Sequence, residues 1–536
     1  MLGPSGHIDT FCRDGLPDAA DWPDILHLNA YPDWLNAGVE LSDATAAAGH
    51  ADRIALRGRT MTLTYAQLAE RSDRIAQVLI EDMGVVPGNR VLLFGGNTPA
   101  LVSALLGILK AGAVAVNIMP LLRAGEIDKV VDKARATHAL CDLKQAAELD
   151  RCDTAGALLR SALSFDGTGG GAGELDRRMA GKTGAFTPVP VGRDDVAIIG
   201  FTSGSTGAPK AAVQFHRDLV GIADGYGRDI LGITAEDVCL GTPPVAFAYG
   251  LCGLVCYPLR FGATSVLLDD LTPATLAPAI DAFGATICYT APTAYRRMLD
   301  DTPAPGALRS LRLAVSAGET LPADLFEKWR ARFPATILDG IGSTEMLSFY
   351  ISGRPGRAVA GSTGLPVPGY EAKIVGDDLR ELGANQPGRL AVRGPTGCRY
   401  LSDPRQAEMV SGGWNLTGDV FYRDEGGLFH FVGRVDDMIL SSGYTIAGPE
   451  VEAALATHDA VGDCAVVGKP DASRGEIVEA VVVLNRGWTP CTETTTALQD
   501  HVKALIAPYK YPRSVRYVDA LPKTPSGKTR RFLLRG

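Results

Sequence analysis

Helical and strand patterns alternate through about the first 400 residues, and this alternation restricts the possible folds more than any other feature. Thr64 and Gln67 form a capping-box pattern ahead of a helix with Leu68, Ile75 and Leu79 on one face. Residues 90–94, Arg-Val-Leu-Leu-Phe, read as a buried strand, a helix follows from about Pro99, and residues 113–116 read as the next strand. Further strands are expected at 196–201, 264–268, 285–289, 311–316 and 335–338. Repeated strand–helix units imply crossover connections and largely parallel sheets, so the expected fold class is α/β. The most apolar run, 101–116, is broken by Lys110 and is too short to span a bilayer. It reads as a buried helix running into a strand.

From Tyr370 the texture changes to short strands and turns, at 371–375, 388–393 and 428–432. A last unit begins near Arg434, with a helix at 449–458, strands around Ala465 and at 480–484, and a basic tail. The expected organisation is a large N-terminal domain, 1–433, built of crossover α/β subdomains with a β-rich subdomain at about 370–433. A small α+β C-terminal domain, 434–536, follows. A chain of 536 residues exceeds one ordinary domain, and 46% hydrophobic against 21% charged residues supports large cores. With 52 basic and 61 acidic residues, net charge −9, there is no basic excess to neutralise a nucleic-acid backbone, so no nucleic-acid partner is expected. The ten cysteines are scattered without a Cys-x-x-Cys pair, and Cys252 and Cys256 read as buried thiols, which suits a reduced, cytoplasmic protein. Residues 1–24 lack the apolar core of a signal peptide, and no membrane partner is expected. The glycine cluster at 167–173 reads as a surface loop.

Directly after the strand at 196–199 come Thr202, Ser203, Gly204, Ser205, Thr206 and Gly207, then Lys210. Small hydroxyl residues and glycines leave backbone N–H groups and side-chain donors free to wrap phosphate oxygens, and Lys210 adds a positive charge. The Walker spacing is absent here. Gly527-Lys528-Thr529 also fails it, since Pro522 stands where the first glycine is required. The competing reading of this stretch is a flexible turn.

The 202–210 run resembles the phosphate loop of the adenylate-forming superfamily: acyl- and aryl-CoA synthetases, amino-acid adenylation domains and luciferases. Other matching segments follow in the family's order. They are Gly340-Ile341-Gly342-Ser343-Thr344-Glu345, Thr417-Gly418-Asp419, the stretch from Gly433 through Arg434 and Asp436 to Ile439, residues 442–446 with Gly443 and Tyr444, Glu450 and Glu452, and the 522–528 loop ending in Lys528. The resemblance implies ATP, Mg²⁺ and coenzyme A as cofactors and a C-terminal domain that is mobile. It makes Glu345 the Mg²⁺ ligand, a hard oxygen donor, and Thr344 a donor to the α-phosphate. Asp419 is implied for the ribose diol, and Arg434 for ribose or phosphate. Gly318, Glu319, Asp339 and Gly340 join the nucleotide set. Asp436 becomes the hinge, and Gly443 and Tyr444 line the approach of the thiol. Lys528 becomes the catalytic ammonium that bridges carboxylate and α-phosphate oxygens. Taken alone, each of these residues also reads as an ordinary surface or turn residue.

The acid pocket implied by the same resemblance includes Phe247, Ala248, Tyr249, Ile341 and Gly342. No Asp stands in the first segment to pair with an ammonium, which disfavours an α-amino acid. Aromatic walls around small residues suit a flat ring, although ordinary core packing is the competing reading for each aromatic. The motifs look most like the benzoate and 2-aminobenzoate–CoA ligase branch, including the order Gly448-Pro449. The implied activity is an aryl acid–CoA ligase that takes a small aromatic carboxylic acid and CoA. Ser348 stands where benzoate ligases tend to carry a larger imidazole; this either alters ring-substituent preference or is a surface change. The rivals are a medium-chain acyl-CoA ligase and a stand-alone adenylation enzyme loading a carrier protein. The oligomeric state stays open, with a homodimer among the alternatives.

Overall fold

The computed structural model describes residues 2–26, 31–202, 209–301, 307–441, 444–471, 475–506, 510–523 and 529–535. The chain divides into two compact units, one of 1–372 with 392–415, the other of 373–391 with 416–536.

In the first unit, β1 (Ile54–Arg57) and β2 (Thr62–Thr64) pair as a hairpin. β3 (Arg90–Phe94), β4 (Val114–Ile118), β5 (His138–Asp142), β6 (Ser161–Phe165), β7 (Val196–Thr202) and β8 (Lys210–Phe215) form a six-stranded sheet ordered β6-β5-β3-β4-β7-β8. All its neighbours are parallel except β7 and β8. β9 (Val238–Gly241), β10 (Thr264–Val266), β11 (Ile287–Thr290), β12 (Leu313–Ser316), β13 (Thr336–Gly342), β14 (Phe349–Ser352) and β15 (Leu365–Pro366) join β1 and β2 in a nine-stranded sheet. Its inner strands are parallel and its ends antiparallel. The fold is α/β, and helices pack on the sheets where the apolar faces require cover.

The capping box forms as the sequence indicates. The Thr64 hydroxyl accepts from the Gln67 N–H, and the Gln67 carboxamide accepts from the Thr64 N–H, opening the helix Tyr65–Gln77. The apolar run becomes the helix Pro99–Lys110, buried along its whole length, followed by β4. These two helices approach so closely that a Cβ on Gly107 would lie 2.5 Å from Ile75 Cγ2. Lys110, fully buried, bonds Asp43 at 2.6 Å, Asp73 at 2.8 Å and the Ala69 carbonyl at 3.1 Å. The charge that interrupts the apolar run is therefore matched at the point where it is buried.

β13 continues past the expected end at 338 to Gly342, because it passes from parallel pairing with β12 to antiparallel pairing with β14. Glycine permits that change: a Cβ on Gly340 would lie 2.6 Å from the Phe349 ring, and one on Gly342 2.4 Å from the Ser348 carbonyl. Cys252 and Cys256 are buried free thiols.

The chain then forms β16 (Glu371–Val375), β17 (Gly388–Arg393), β18 (Val410–Ser411), β19 (Trp414–Arg423) and β20 (Phe429–Arg434). Within the second unit, β19 and β20 pair antiparallel from Asp419↔Arg434 onward. Next come β21 (Met438–Ser441), β22 (Tyr444–Ala447), β23 (Val461–Asp471), β24 (Gly475–Leu484) and β25 (Ser514–Tyr517). Their sheet is ordered β22-β21-β24-β23, with β25 on β24. The helices Gly448–Leu455 and Thr492–Leu505 pack against one another, and Val451, Leu455, Leu498 and Val502 join the strands' Val466, Val478 and Val482 in one core. Among the described residues no helix is long and apolar enough to cross a membrane.

Candidate functional site

The strand that leads into the Ser/Gly/Thr run and the strand that leaves it pair with each other. Thr202 ends β7 opposite Lys210 at the start of β8, so the two lie side by side at the mouth of a hairpin. Ser203, Gly204, Ser205, Thr206 and Gly207 lie outside the described residues. The strand β8 is absent from the sequence expectations; its alternation is hidden because residues 211–215 are all buried.

This hairpin carries the Thr344–Glu345 turn. Gly200 of β7 makes room for it: a Cβ there would lie 2.8 Å from Thr344 Cγ2. Gln214 of β8, buried, donates through Nε2 to the carbonyls of Thr344 (2.9 Å) and Glu345 (3.2 Å). The Tyr400 hydroxyl donates to Glu345 Oε1 at 2.6 Å, and Lys210 Nζ stands over the Tyr400 ring, 5.1 Å from its centroid. Gln214 and Tyr400 are missed by sequence reasoning, since a lone Gln in a strand and a lone Tyr after an Arg carry no local signal. Glu345 and Thr344 offer a carboxylate and a hydroxyl, hard oxygen donors of the kind Mg²⁺ takes. Among the described residues no three His, Cys, Asp or Glu converge as a chelating cluster. A single fixed carboxylate suits an ion that arrives on phosphate oxygens, because Mg²⁺ is commonly held by one or two carboxylates plus the nucleotide.

At the C-terminal edge of the nine-stranded sheet, Thr290, Ser316 and Asp339 stand in register on neighbouring strands. Ser316 Oγ and Asp339 Oδ1 are buried without a partner. Burial pushes the Asp339 carboxyl up to about 8, only partly offset by the Gly340 N–H and the Thr363 hydroxyl. Gly318 is exposed with φ +89°, and the Glu319 carboxylate accepts from the Thr293 hydroxyl at 2.6 Å. The raised carboxyl has a consequence for stability. Folded Asp339 keeps a proton that the unfolded chain releases above its ordinary carboxylate range, so stability is lost as pH rises through that window to about 8. Between pH 5 and 7, above the unfolded carboxylate range and below about 8, the wild type should lose about 1.4 kcal/mol per pH unit relative to Asp339→Asn. Parallel denaturant titrations of the two proteins at each pH measure this; a constant difference would contradict it.

Phe247 caps the short helix Ala248–Leu251 from its N-terminal side, and Phe247, Ala248 and Tyr249 are half-buried. The Tyr249 hydroxyl donates to the carbonyls of Val315 (2.7 Å) and Thr290 (3.2 Å), so this residue is pinned to the sheet edge. Its ring meets Phe349 and Tyr289 edge-on at 5.6 and 6.2 Å. Ile341 is half-buried and Gly342 exposed. Ser348 is not a surface change: it is 5% exposed, and its hydroxyl lies 2.6 Å from that of Tyr257. Neighbouring Tyr226 pairs in the same way with Ser352 at 3.0 Å.

In the second unit, Asp419 and Arg434 are ion-paired at 2.7 Å across β19 and β20. Arg434 also donates to the Thr417 carbonyl at 3.3 Å, and a Cβ on Gly418 would lie 3.0 Å from its guanidinium. Asp436 falls in the helical turn Val435–Asp437, and Tyr444 opens β22 with its backbone paired to Ser441. Gly443 and Lys528 lie outside the described residues.

Residues 44–400 match the family described as AMP-binding enzyme, and 450–528 its C-terminal domain. The chain is 37% identical over 516 residues to a benzoate–CoA ligase of Thauera aromatica, covering 94% of this chain and 96% of that one. Among solved structures it resembles the anthranilate–CoA ligase AuaEII in complex with anthranoyl-AMP, with TM-score 0.87, 30% identity and 94% and 98% of the two chains covered. It also resembles a benzoate–CoA ligase from Burkholderia xenovorans, with TM-score 0.83, 31% identity and 94% and 100% covered.

Proposed function

Because this chain belongs to the AMP-binding enzyme family, we propose that it is an ATP-dependent aryl acid–CoA ligase acting on benzoate or 2-aminobenzoate. The observation that carries this reading is the likeness to a benzoate–CoA ligase at 37% identity over 94% of the chain. A carboxylate oxygen of the aromatic acid attacks the α-phosphorus of ATP. The α–β phosphoanhydride breaks, pyrophosphate leaves, and an aryl-adenylate remains. The CoA thiolate then attacks the activated carbonyl and AMP departs, giving the aryl-CoA thioester. Both steps require positioning and charge stabilisation more than a nucleophilic side chain.

In this reading Lys210 and the Ser203–Gly207 run hold phosphate oxygens, with Thr344 donating to the α-phosphate. Glu345 would hold Mg²⁺, which neutralises charge on the phosphates when bound. Asp339, Gly340, Gly318 and Glu319 face the nucleotide, and Asp419 and Arg434 take its ribose. The ring lies against Phe247, Ala248, Tyr249, Ile341 and Gly342. None of these five residues is itself an acid, which disfavours an ammonium among them, whereas benzoate and the neutral aniline of 2-aminobenzoate carry no such penalty. Residues 434–536 move as a domain about Asp436, withdrawing Lys528 after the first step and bringing Gly443 and Tyr444 to the thiol.

A pyrophosphate-release screen over benzoate, 2-aminobenzoate, octanoate and amino acids, with and without CoA, tests the assignment. Turnover is expected with the two aromatic acids, and an aryl-CoA product only when CoA is present. Preferred turnover of octanoate, or an acyl product that never reaches CoA, would overturn it.

A further inference from the structure

Tyr400 lies in a segment without regular structure that is nevertheless tightly held. The Leu401 N–H donates to the Ala211 carbonyl and the Val213 N–H to the Arg399 carbonyl, both at 2.9 Å, so 399–401 runs as an added edge along β8. Successive side chains in such a segment point to opposite sides. Arg399 goes to one side, fully buried against the Phe215 ring and paired with Asp218 at 3.0 Å. Tyr400 goes to the other, 1% exposed, with its N–H donating to Gln406 Oε1 at 2.9 Å. The position of the phenol is thus set by backbone bonds on both sides of it.

Packing alone needs no hydroxyl at this place, because phenylalanine has the same ring. The hydroxyl nonetheless ends 2.6 Å from Glu345 Oε1. The phenol is the donor in this contact, because a carboxylate oxygen only accepts. The ring face, which is the negative part of an aromatic quadrupole, meets the ammonium of Lys210. One side chain thus contacts both charged groups assigned to the nucleotide's phosphates and metal. Glu345 meets the hydroxyl and Lys210 the ring face of the same side chain. Without a spacer, two such opposite charges would neutralise one another instead of a ligand.

We infer that Tyr400 is a positioning residue for adenylation, orienting the Glu345 carboxylate toward the Mg²⁺ of MgATP and holding Lys210 apart from it. This rests on the reading of Glu345 as the metal ligand. The Tyr400 bond takes one carboxylate oxygen and restricts rotation of the group, which would leave the other oxygen oriented for the ion.

The test is calorimetric titration of the full-length protein with ATP, once with Mg²⁺ and once with EDTA. Tyr400→Phe keeps the ring beneath Lys210. It should weaken MgATP binding about tenfold, the scale of a hydrogen bond to a charged group, and leave metal-free ATP binding unchanged. Tyr400→Leu removes the ring as well and should weaken both. Glu345→Gln should lose the Mg²⁺-dependent part, and adding Tyr400→Phe to it should cost nothing further, because the two act through one contact. Equal weakening by Tyr400→Phe with and without metal would mark a merely structural role and overturn the inference, as would unchanged MgATP affinity. If Glu345→Gln keeps the full Mg²⁺ dependence, the metal-ligand reading itself falls and the inference with it. If Glu345→Gln loses that dependence while Tyr400→Phe retains it, only the inference falls.

Discussion

Lys528→Ala is expected to abolish aryl-adenylate formation while sparing thioester formation from supplied aryl-AMP. In the adenylation step negative charge accumulates between the incoming carboxylate and the α-phosphate, and an ammonium placed there is a preorganised counter-charge. Removing one such donor from a water-poor site lowers the rate roughly a hundred- to a thousandfold. In the second step pyrophosphate has left and the reacting centre is the acyl carbonyl, where Lys528 has no assigned contact. The two half-reactions should therefore separate: pyrophosphate exchange falls by that factor, and CoA acylation from aryl-AMP stays near the wild-type rate. An equal fall in both would remove Lys528 from its role. Lys528→Arg should recover little, because a planar guanidinium does not replace a compact ammonium between two oxygens.

The second large effect concerns the fold. Lys110→Ala should destabilise the first unit by about 3–5 kcal/mol, because it removes a buried cation and leaves its carboxylate partners uncompensated. Lys110 is fully buried, and of its two acids Asp73 is the more enclosed. Burial already raises the Asp73 carboxyl above its usual range, against the lowering by Lys110. Without that ammonium the carboxylate is expected to take up a proton more readily, so the loss should be smaller at acidic pH. The double variant Lys110→Met with Asp73→Asn removes both charges and fills the space with apolar volume, and should recover much of the loss. Thermal unfolding of the three proteins measures this. Recovery absent from the double variant, or a single variant as stable as wild type, would contradict the argument.

The two cases differ in how visible they are to a reader of the sequence. Lys528 lies within a local pattern that a resemblance picks out. Lys110 appears in the sequence only as an interruption of an apolar run. Its acids, at 43 and 73, lie on other elements, and only helix packing brings them to it. The acid segment is divided in the same way. Phe247, Ala248 and Tyr249 are legible as a small aromatic group, whereas the buried Ser348–Tyr257 hydroxyl pair joins positions 91 residues apart. That burial excludes the reading of Ser348 as a surface change, because a 5% exposed hydroxyl is no part of the solvated surface.

Local order along the chain determined the α/β class, the Thr64 cap, seven of the fifteen strands of the two large sheets, and the succession of motifs from Thr202 to Lys528. Such features are carried by residues close in sequence, through periodicity, turn chemistry and spacing. Tertiary structure alone decided that β7 and β8 pair around the Ser/Gly/Thr run, that Gln214 grips the carbonyls of Thr344 and Glu345, and that Tyr400 reaches a carboxylate 55 residues away. It also decided that Asp339 keeps a buried oxygen without a partner and so holds its proton. The reason is that hydrogen bonding and desolvation depend on which atoms end within a few ångströms of each other, and that distance is set by packing between elements far apart in the chain.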